Sequence, residues 1–190
     1  MELLKERIRR DGVILSSDVL KLDAVLNHQV DPALINEMGR EFARRFREER
    51  VTKVVTIESS GIPIAFATAS ELGVPMVFAR RKKTLTTDQD CYCERVPSFT
   101  KGIVTDLMIS KSFLSPDDRV LVIDDIIANG DAARGVLRII AQSEATIVGF
   151  GVAVEKDFQQ GARTIRELGV RLVSLVKIIR LEADRIIMEE

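Results

Sequence analysis

The chain of 190 residues is poor in several residue types that carry common chemistries. It contains no tryptophan, one tyrosine, one histidine and two cysteines. Cys91 and Cys93 are separated by one residue, a spacing that would strain a disulfide badly, and no His-rich or Cys-rich neighbourhood completes a zinc site. We therefore predict two reduced thiols, no protein metal site and a cytoplasmic location.

Long apolar runs and an excess of one charge are also missing. No run approaches the roughly 20 apolar residues that span a bilayer. Residues 1–10 alternate charged and apolar residues instead of forming a signal-peptide core, and predict an amphipathic helix with Leu3, Leu4 and Ile8 on one side. Because 28 basic and 29 acidic residues leave a net charge of −1, we expect neither nucleic acid nor membrane as a partner.

From about residue 50, short apolar runs alternate with helical patterns. The apolar runs predict strands at 51–57, 74–79, 119–123, 146–154 and 170–178, with helices at 62–72, 131–142 and 162–168 between them. Strands that are apolar throughout are typical of a parallel sheet covered by helices on both faces. No repeat or linker interrupts the chain, so we predict one α/β domain over residues 1–190. Ligands of such sheets bind beyond the carboxyl ends of the strands.

Two segments do not follow the alternation. Residues 1–30 are expected to form the N-terminal helix and a small hood with short apolar stretches. Residues 81–103 form a long polar segment that continues the basic run 80–83. Because a long loop in a compact domain is usually functional or disordered, we predict a flexible lid loop here.

The most informative segment runs from Val120 to Ala132. Four apolar residues bring Asp124 and Asp125 to a strand end, where a turn of small residues leads into a helix. Carboxylates accept ribose hydroxyls, and the amide groups of such a turn and helix N-terminus bind phosphate, so a sugar phosphate suits this loop. A plain turn with solvated, helix-capping acids, a metal site or a phosphatase site would show the same residues, and the residues alone leave these alternatives open.

A second loop, Glu58 to Gly61, has a similar position after a strand and before a helix. Its amides and hydroxyls suit a pyrophosphate, although Ser-Ser-Gly is also an ordinary helix cap. Lys156, at the end of an apolar strand, either donates to a carbonyl oxygen of a ligand or simply leaves the sheet. The basic run 80–83 is typical of a solvated face, and His28, without an orienting carboxylate, is typical of a structural histidine.

Two hydrophobic residues, two acids, two hydrophobic residues and a small-residue turn resemble the phosphoribosyl pyrophosphate (PRPP) signature of the type I phosphoribosyltransferases. The Ala128-Asn-Gly130 turn is similar to that of the xanthine-specific bacterial members. The likeness extends over essentially the whole chain, through Leu20-Lys-Leu-Asp, Leu26-Asn-His-Gln, Val54-Val-Thr-Ile-Glu-Ser-Ser-Gly, Val77-Phe-Ala-Arg and Val154-Glu-Lys. It implies a type I phosphoribosyltransferase-like fold, with a mostly parallel twisted sheet, helices on both faces and a small N-terminal hood.

The resemblance also implies an activity: transfer of the 5-phosphoribosyl group from PRPP to N9 of xanthine, giving XMP and pyrophosphate in purine salvage. It implies a homodimer and Mg²⁺ bound through PRPP oxygens. Asp124 and Asp125 would be catalytic and Leu20, Asn27 and Lys156 would bind xanthine. The implied PRPP-binding residues are Ala128, Asn129, Gly130, Asp131, Ala132, Ser59, Ser60, Gly61, Arg80 and Lys83.

The sequence departs from the family pattern in the turn, where the family usually has threonines. Asp131 places a carboxylate where a phosphate is expected, and we interpret it as a helix cap or first-turn residue that points away from the ligand. Alternatives to xanthine are hypoxanthine, guanine or adenine. A non-catalytic PRPP-sensing regulator is a further alternative, but such regulators normally add a DNA-binding module, for which residues 1–30 are too short and too weakly basic.

Overall fold

The computed structural model describes residues 1–81, 90–98 and 103–190. In chain order its elements are α1 (Glu2–Asp11), β1 (Val13–Ile14), β2 (Leu20–Lys21), a π-helical turn (Asp23–Asn27), α2 (Pro32–Phe46), a 3₁₀ turn (Arg47–Glu49), β3 (Lys53–Ile57), α3 (Ile62–Leu72), β4 (Met76–Ala79), β5 (Cys91–Ser98), β6 (Ile103–Ser110), a 3₁₀ turn (Lys111–Phe113), β7 (Arg119–Ile127), α4 (Asp131–Gln142), β8 (Thr146–Lys156), α5 (Gly161–Glu167), β9 (Leu172–Leu181) and β10 (Ile186–Met188).

The central sheet has six strands in the order β10-β9-β8-β7-β3-β4. Strands β4, β3, β7, β8 and β9 are parallel, and β10 pairs antiparallel with β9. The chain moves outward from β3 to β4, then returns to β7 and builds the opposite side through β8 and β9. The strand order therefore reverses between β3 and β7, and the loops after these two strands border the switch point where ligands bind in such folds.

Both faces of the sheet are covered. Leu121 and Ile123 of β7 belong to the core packed under α1, α2 and α3, whereas Val120 and Val122 belong to the core under α4, α5 and the β5–β6 hairpin. This alternation explains why the run is apolar throughout, since successive side chains of a strand point to opposite faces. The prediction of a mostly parallel sheet with helices on both faces is confirmed.

The boundaries differ from the predicted ones in informative places. Strand β7 extends beyond 123 to Ile127, so the aspartate pair lies inside the second half of the strand. Helix α2 was not predicted, although Asp31 accepts hydrogen bonds from the amides of Ala33 and Leu34 and Pro32 occupies the first helical position. Aspartate before proline at a helix start is a recognisable signal. In α1, Leu4 and Ile8 are buried as predicted, but Leu3 is exposed.

The segment predicted as a lid loop contains regular structure. Residues 91–98 pair antiparallel with 103–110 as the β5–β6 hairpin, so the loop prediction is wrong for strand β5. The rest of the predicted lid, residues 82–89 and 99–102, lies outside the described residues. At the N-terminus, β1 and β2 form a short antiparallel pair that leads into the π-helical turn. Within the described ranges no helix is long and apolar enough to cross a membrane.

Candidate active site

Two loops meet at the switch point of the sheet. We call Glu58–Gly61 the β3 loop and Ala128–Ala132 the β7 loop. The cleft beside them is lined by Arg81, Val96, Pro97, Asp124 and residues 126–133. Gly61 and Gly130 are the N-cap residues of α3 and α4, and neither helix has a side-chain cap. The cap alternative is therefore not observed for Ser59, Ser60 or Asp131, whereas the first-turn alternative for Asp131 is confirmed. The N-terminus of α4 suits an anion. In α3 the Ile62 amide already donates to the Ser59 carbonyl and Pro63 has no N–H, so an anion there would depend on amides of the preceding loop.

Asp124 and Asp125 lie between the two loops. Oδ1 of Asp124 accepts the Asp125 amide at 3.0 Å, and Oδ2 of Asp125 accepts the side-chain amide of Asn27 at 2.6 Å. Burial and the neighbouring Asp125 carboxylate raise the pKa of Asp124 well above its usual range. A carboxylate in such surroundings gains from hydroxyl donors or from nearby positive charge.

The β7 loop packs directly on the start of α5. Gly130 has φ 80°, a conformation that favours glycine. A Cβ on Gly130 would lie 2.7 Å from the Gly161 Cα, and the Gly161 amide donates to the Ala128 carbonyl at 2.9 Å. Glycine is thus required on both sides of this contact, which holds the loop against the helix behind it.

Asp131 is the first residue of α4. This is the first-turn position that the sequence analysis gave as the alternative to a helix cap. Its carboxylate pairs with the guanidinium of Arg134, which also donates to the Asn129 carbonyl at 3.0 Å. The charge that looked unfavourable in the sequence is therefore balanced within one helical turn. The spacing of three residues between an acid and an arginine was a usable signal that the sequence interpretation missed.

The β3 loop lies against the acid pair. A Cβ on Gly61 would contact Oγ1 of Thr56 and lie 2.8 Å from Oδ1 of Asp124. Only glycine lets the loop backbone come this close to the carboxylate. Thr56 is fully buried, and its hydroxyl has no hydrogen-bond partner within the described part of the chain.

Two arginines follow β4, and they take different roles. The backbone of Arg80 pairs with Met108 in both directions, at 2.9 and 3.0 Å, and its Nε is buried without a partner among the described residues. Arg81 contacts Glu58 instead, through its amide at 2.6 Å and its Nε at 3.3 Å. Arg81, which lines the cleft, was missed because a run of adjacent basic residues does not reveal which one turns inward. Lys83 lies outside the described residues.

The residues predicted for base recognition lie where the hood meets the ends of β7 and β8. Nζ of Lys156 donates to the Asp18 carbonyl at 2.8 Å, and burial lowers the pKa of this lysine. Asn27 bonds to Asp125, and Leu20 is a buried core residue. The structure thus brings Asn27 and Lys156 to the site edge, whereas a contact from Leu20 to a base stays a prediction. His28 is exposed beside them.

Glu155, which the sequence interpretation did not single out, supports this edge from below. Its side chain is fully buried. The carboxylate accepts hydrogen bonds from both terminal guanidinium nitrogens of Arg166, at 2.8 and 2.7 Å, and from the Ser174 hydroxyl. Burial acts to raise the pKa of Glu155, but the hydrogen bonds from Arg166 and Ser174 outweigh it and lower the pKa. The network ties β8, α5 and β9 together next to Lys156.

Cys91 and Cys93 lie away from this network, on strand β5. Neither forms a disulfide within the described part of the chain, and their reduced state stays a prediction. Burial raises the pKa of Cys93, which disfavours the reactive thiolate. Among the described residues, no three histidine, cysteine or acidic side chains are grouped so as to hold a metal ion.

Comparisons with known proteins agree with this geometry. The family profile of the phosphoribosyl transferase domain matches residues 26–180. The xanthine phosphoribosyltransferase of Moorella thermoacetica is 52% identical over 186 residues, which cover 98% of this chain and 95% of the relative. That of Bacillus cytotoxicus is 50% identical over 182 residues, covering 96% and 92%.

Solved structures show the same fold at lower identity. The adenine phosphoribosyltransferase of Rhodothermus marinus superposes with a TM-score of 0.75 at 23% identity, covering 94% of this chain and all of that one (100%). An APRTase from Giardia lamblia gives a TM-score of 0.76 at 21% identity, covering 92% and 97%. The domain match, the nearly full-length relatives and the two loops at the switch point lead to one conclusion: the chain belongs to the phosphoribosyltransferase family.

Proposed function

We propose that the protein transfers the 5-phosphoribosyl group from PRPP to N9 of xanthine, releasing pyrophosphate and XMP in a purine salvage reaction. The observation that carries the proposal is the position of Asp124 and Asp125 between two anion-binding loops at the switch point of the sheet. A sugar that carries a phosphate at one end and a pyrophosphate at the other needs this arrangement. The choice of base rests on relatives that are about half identical and span nearly the whole chain.

PRPP fits the site with its two anionic groups on different loops. The 5′-phosphate accepts hydrogen bonds from amide groups of the β7 loop at the N-terminus of α4. The pyrophosphate accepts hydrogen bonds from amide groups of the β3 loop. Arg81 brings a positive charge to the β3 loop through its contacts with Glu58. Arg80 and Lys83 are assigned to the same group. Between the loops, the ribose hydroxyls donate to Asp124 and Asp125.

The reaction breaks the bond between C1′ of the ribose and the pyrophosphate oxygen. Positive charge develops on the ribose ring, as in the cleavage of glycosides. Asp124 and Asp125 stabilise this charge, and their attraction to it offsets their mutual repulsion. Mg²⁺ bound to PRPP oxygens would stabilise the leaving pyrophosphate; the described residues offer it at most this carboxylate pair.

The base is held at the edge formed by β8 and the hood. An ammonium has three N–H donors, and Lys156 gives one to Asp18, so two are left for a carbonyl oxygen of the purine. Asn27 adds an amide that both donates and accepts, which suits the two oxo groups of xanthine. Leu20 is assigned to the same edge.

Three further assignments accompany the proposal. A cytoplasmic location is supported by two cysteines that form no disulfide among the described residues. A homodimer is supported by exposed apolar side chains near the edge strand, Phe66 at 65% and Phe78 at 37% exposure. Closure of a lid over the site would exclude water that hydrolyses the activated sugar.

The function is tested by measuring pyrophosphate release from PRPP with xanthine, hypoxanthine, guanine and adenine in turn. We expect turnover with xanthine, and the Asp124→Asn/Asp125→Asn variant is expected to lose it while keeping a cooperative thermal transition. Asp117→Asn, an exposed aspartate just before β7, is the matched control and should be fully active. Turnover with hypoxanthine or guanine but not xanthine would overturn the base assignment, no turnover with any purine would favour a PRPP sensor, and near-normal activity of the double variant would overturn the ribose assignment.

A further inference from the structure

The β7 loop carries an acid at the position assigned to a phosphate, and one arginine compensates for it. The Asp131 and Arg134 side chains are 13% and 25% exposed, and they form an ion pair within the first turn of α4. The same guanidinium donates from Nη1 to the carbonyl oxygen of Asn129 at 3.0 Å. Arg134 therefore holds both the acidic side chain and the loop backbone.

The carbonyl groups of the loop are all engaged by the helices behind it. The Ala128 carbonyl accepts the Gly161 amide at 2.9 Å, and the Gly130 carbonyl accepts the Arg134 amide at 2.9 Å. The Asn129 carbonyl, between them, accepts the Arg134 side chain. A carbonyl oxygen that turned toward a phosphate would repel it. With three consecutive carbonyls held by α4 and α5, the loop presents amide groups to an anion.

We propose that Arg134 is a positioning residue for the phosphate of PRPP. Its guanidinium neutralises Asp131 and fixes the Asn129 carbonyl, so that the β7 loop can bind the dianionic phosphate. The guanidinium itself does not contact the phosphate. This inference rests on the proposed function, in which the β7 loop holds the 5′-phosphate. An exposed ion pair of the same spacing would contribute little, but these side chains are largely removed from water, and loss of one partner leaves a poorly solvated charge.

The proposal predicts a specific pattern in a double-mutant cycle. Arg134→Met should weaken PRPP binding by about tenfold or more, because an uncompensated carboxylate then faces the phosphate. The KM for xanthine should change little. Asp131→Asn removes the acid and leaves the Arg134 cation unpaired beside the loop, so it should bind PRPP more tightly than the parent. The double variant Asp131→Asn/Arg134→Met should regain most of the affinity lost in Arg134→Met, because the repulsive charge is gone.

PRPP dissociation constants are measured by titration calorimetry on the full chain, with KM and kcat for xanthine alongside. A double variant that binds PRPP as weakly as Arg134→Met would overturn charge compensation, and so would an equal loss of affinity for both substrates. The matched control is Arg138→Met, one turn further along α4, whose arginine pairs with Glu94 at 2.8 Å. It should leave PRPP binding unchanged.

A further variant separates this inference from the assignment of the loop. Ala132→Glu adds an acid without an arginine partner to the first turn of α4, where a negative charge is compatible with the helix. If Ala132→Glu weakens PRPP binding and Arg134→Met does not, the positioning role is wrong and the loop assignment stands. If PRPP binds equally well to Ala132→Glu, the phosphate does not occupy the β7 loop, and the proposed function itself is overturned.

Discussion

The two anion loops look alike in sequence but are supported in different ways. Each follows a central parallel strand, contains a carboxylate and small residues, and starts a helix with a glycine N-cap. The β7 loop is supported by a nearby residue of its own helix, Arg134, and by Gly161 of the next helix. The β3 loop is supported by Arg81, which comes from the end of a neighbouring strand.

The β7 loop therefore has one local support, Arg134, in addition to a tertiary one, whereas the side-chain support of the β3 loop from Arg81 is tertiary. A brace from the same helix forms as soon as the helix forms, whereas Arg81 reaches Glu58 only when β3 and β4 pair. The β7 loop should therefore be preorganised whenever the domain is folded. The β3 loop depends in addition on the conformation of the chain that leaves β4. The following predictions test this comparison.

Gly61→Ala should have the largest effect. The new Cβ would contact the Thr56 hydroxyl and lie 2.8 Å from Oδ1 of Asp124, which pushes the β3 loop away from the acid pair. Because displacements of about 1 Å can cost roughly a hundredfold in rate, we expect a loss of about that size in kcat/KM for PRPP. The control is Gly73→Asn at the other end of α3, where nothing lies within 4 Å of an added Cβ; equal losses in both variants would contradict the local explanation.

Gly161→Ala tests the backbone support of the β7 loop. Its Cβ would contact the Ala128 carbonyl and lie 2.6 Å from the Gly130 amide nitrogen. We expect about 1 to 3 kcal/mol lower stability, with a raised KM for PRPP and little change for xanthine. Urea unfolding and steady-state kinetics measure both. Arg163→Ala, at an exposed position of the same helix, should alter neither, and an unchanged KM for PRPP in Gly161→Ala would show that the packing does not support binding.

Arg81→Met tests the tertiary support of the β3 loop. The variant loses the contact from the guanidinium Nε to the Glu58 backbone carbonyl and the positive charge that lines the cleft, whereas the contact from the Arg81 amide to the Glu58 carboxylate remains. We expect the KM for PRPP to rise by about tenfold. Because part of this effect is electrostatic, it should shrink at high salt, whereas the effect of Gly161→Ala should not. The matched control is Arg95→Met on the exposed face of β5, where the arginine side chain is 81% exposed. Equal salt dependence of the Arg81 and Gly161 variants would remove the distinction between the two loops.

Asp124→Asn should cost activity but gain stability, because Asp124 lies between both loops and has a raised pKa. A carboxyl whose pKa is higher in the folded state binds more protons there, so stability falls as pH rises from its unfolded pKa, about 3.9, through the folded value. Above the folded pKa, asparagine removes this cost, and we expect Tm to rise by about 2 to 4 °C. Thermal unfolding from pH 4 to pH 8 tests this: a lower Tm than the parent at pH 8 would contradict it, as would the same gain in Asp117→Asn.

Much of the fold was predictable because its signals are local. The apolar run Val120–Ile123 predicts a strand buried on both faces, and Gly73 ends α3 in a left-handed conformation, as its position after an alanine-rich run indicates. The hairpin strand β5 was missed because it is polar on its outer side and is stabilised by packing of Val96 and Leu107 against Gly135 of α4. Such a contact between distant segments produces no periodic hydrophobic pattern in the sequence of either segment.

The candidate site likewise has features that local sequence signals predict and contacts that they do not. The family, the order of the strand-end loops along the chain and two loops that join acids and small residues to helix starts could all be predicted from the amino-acid sequence. These features are predictable because strand and helix periodicity, glycine at turns and adjacent aspartates are properties of neighbouring residues. The folded chain was needed to show that Arg81 contacts Glu58, that Asn27 bonds to Asp125, and that Gly161 packs on the β7 loop. Each of these contacts joins residues more than 20 positions apart, and such contacts exist only after the sheet has brought the strand ends together.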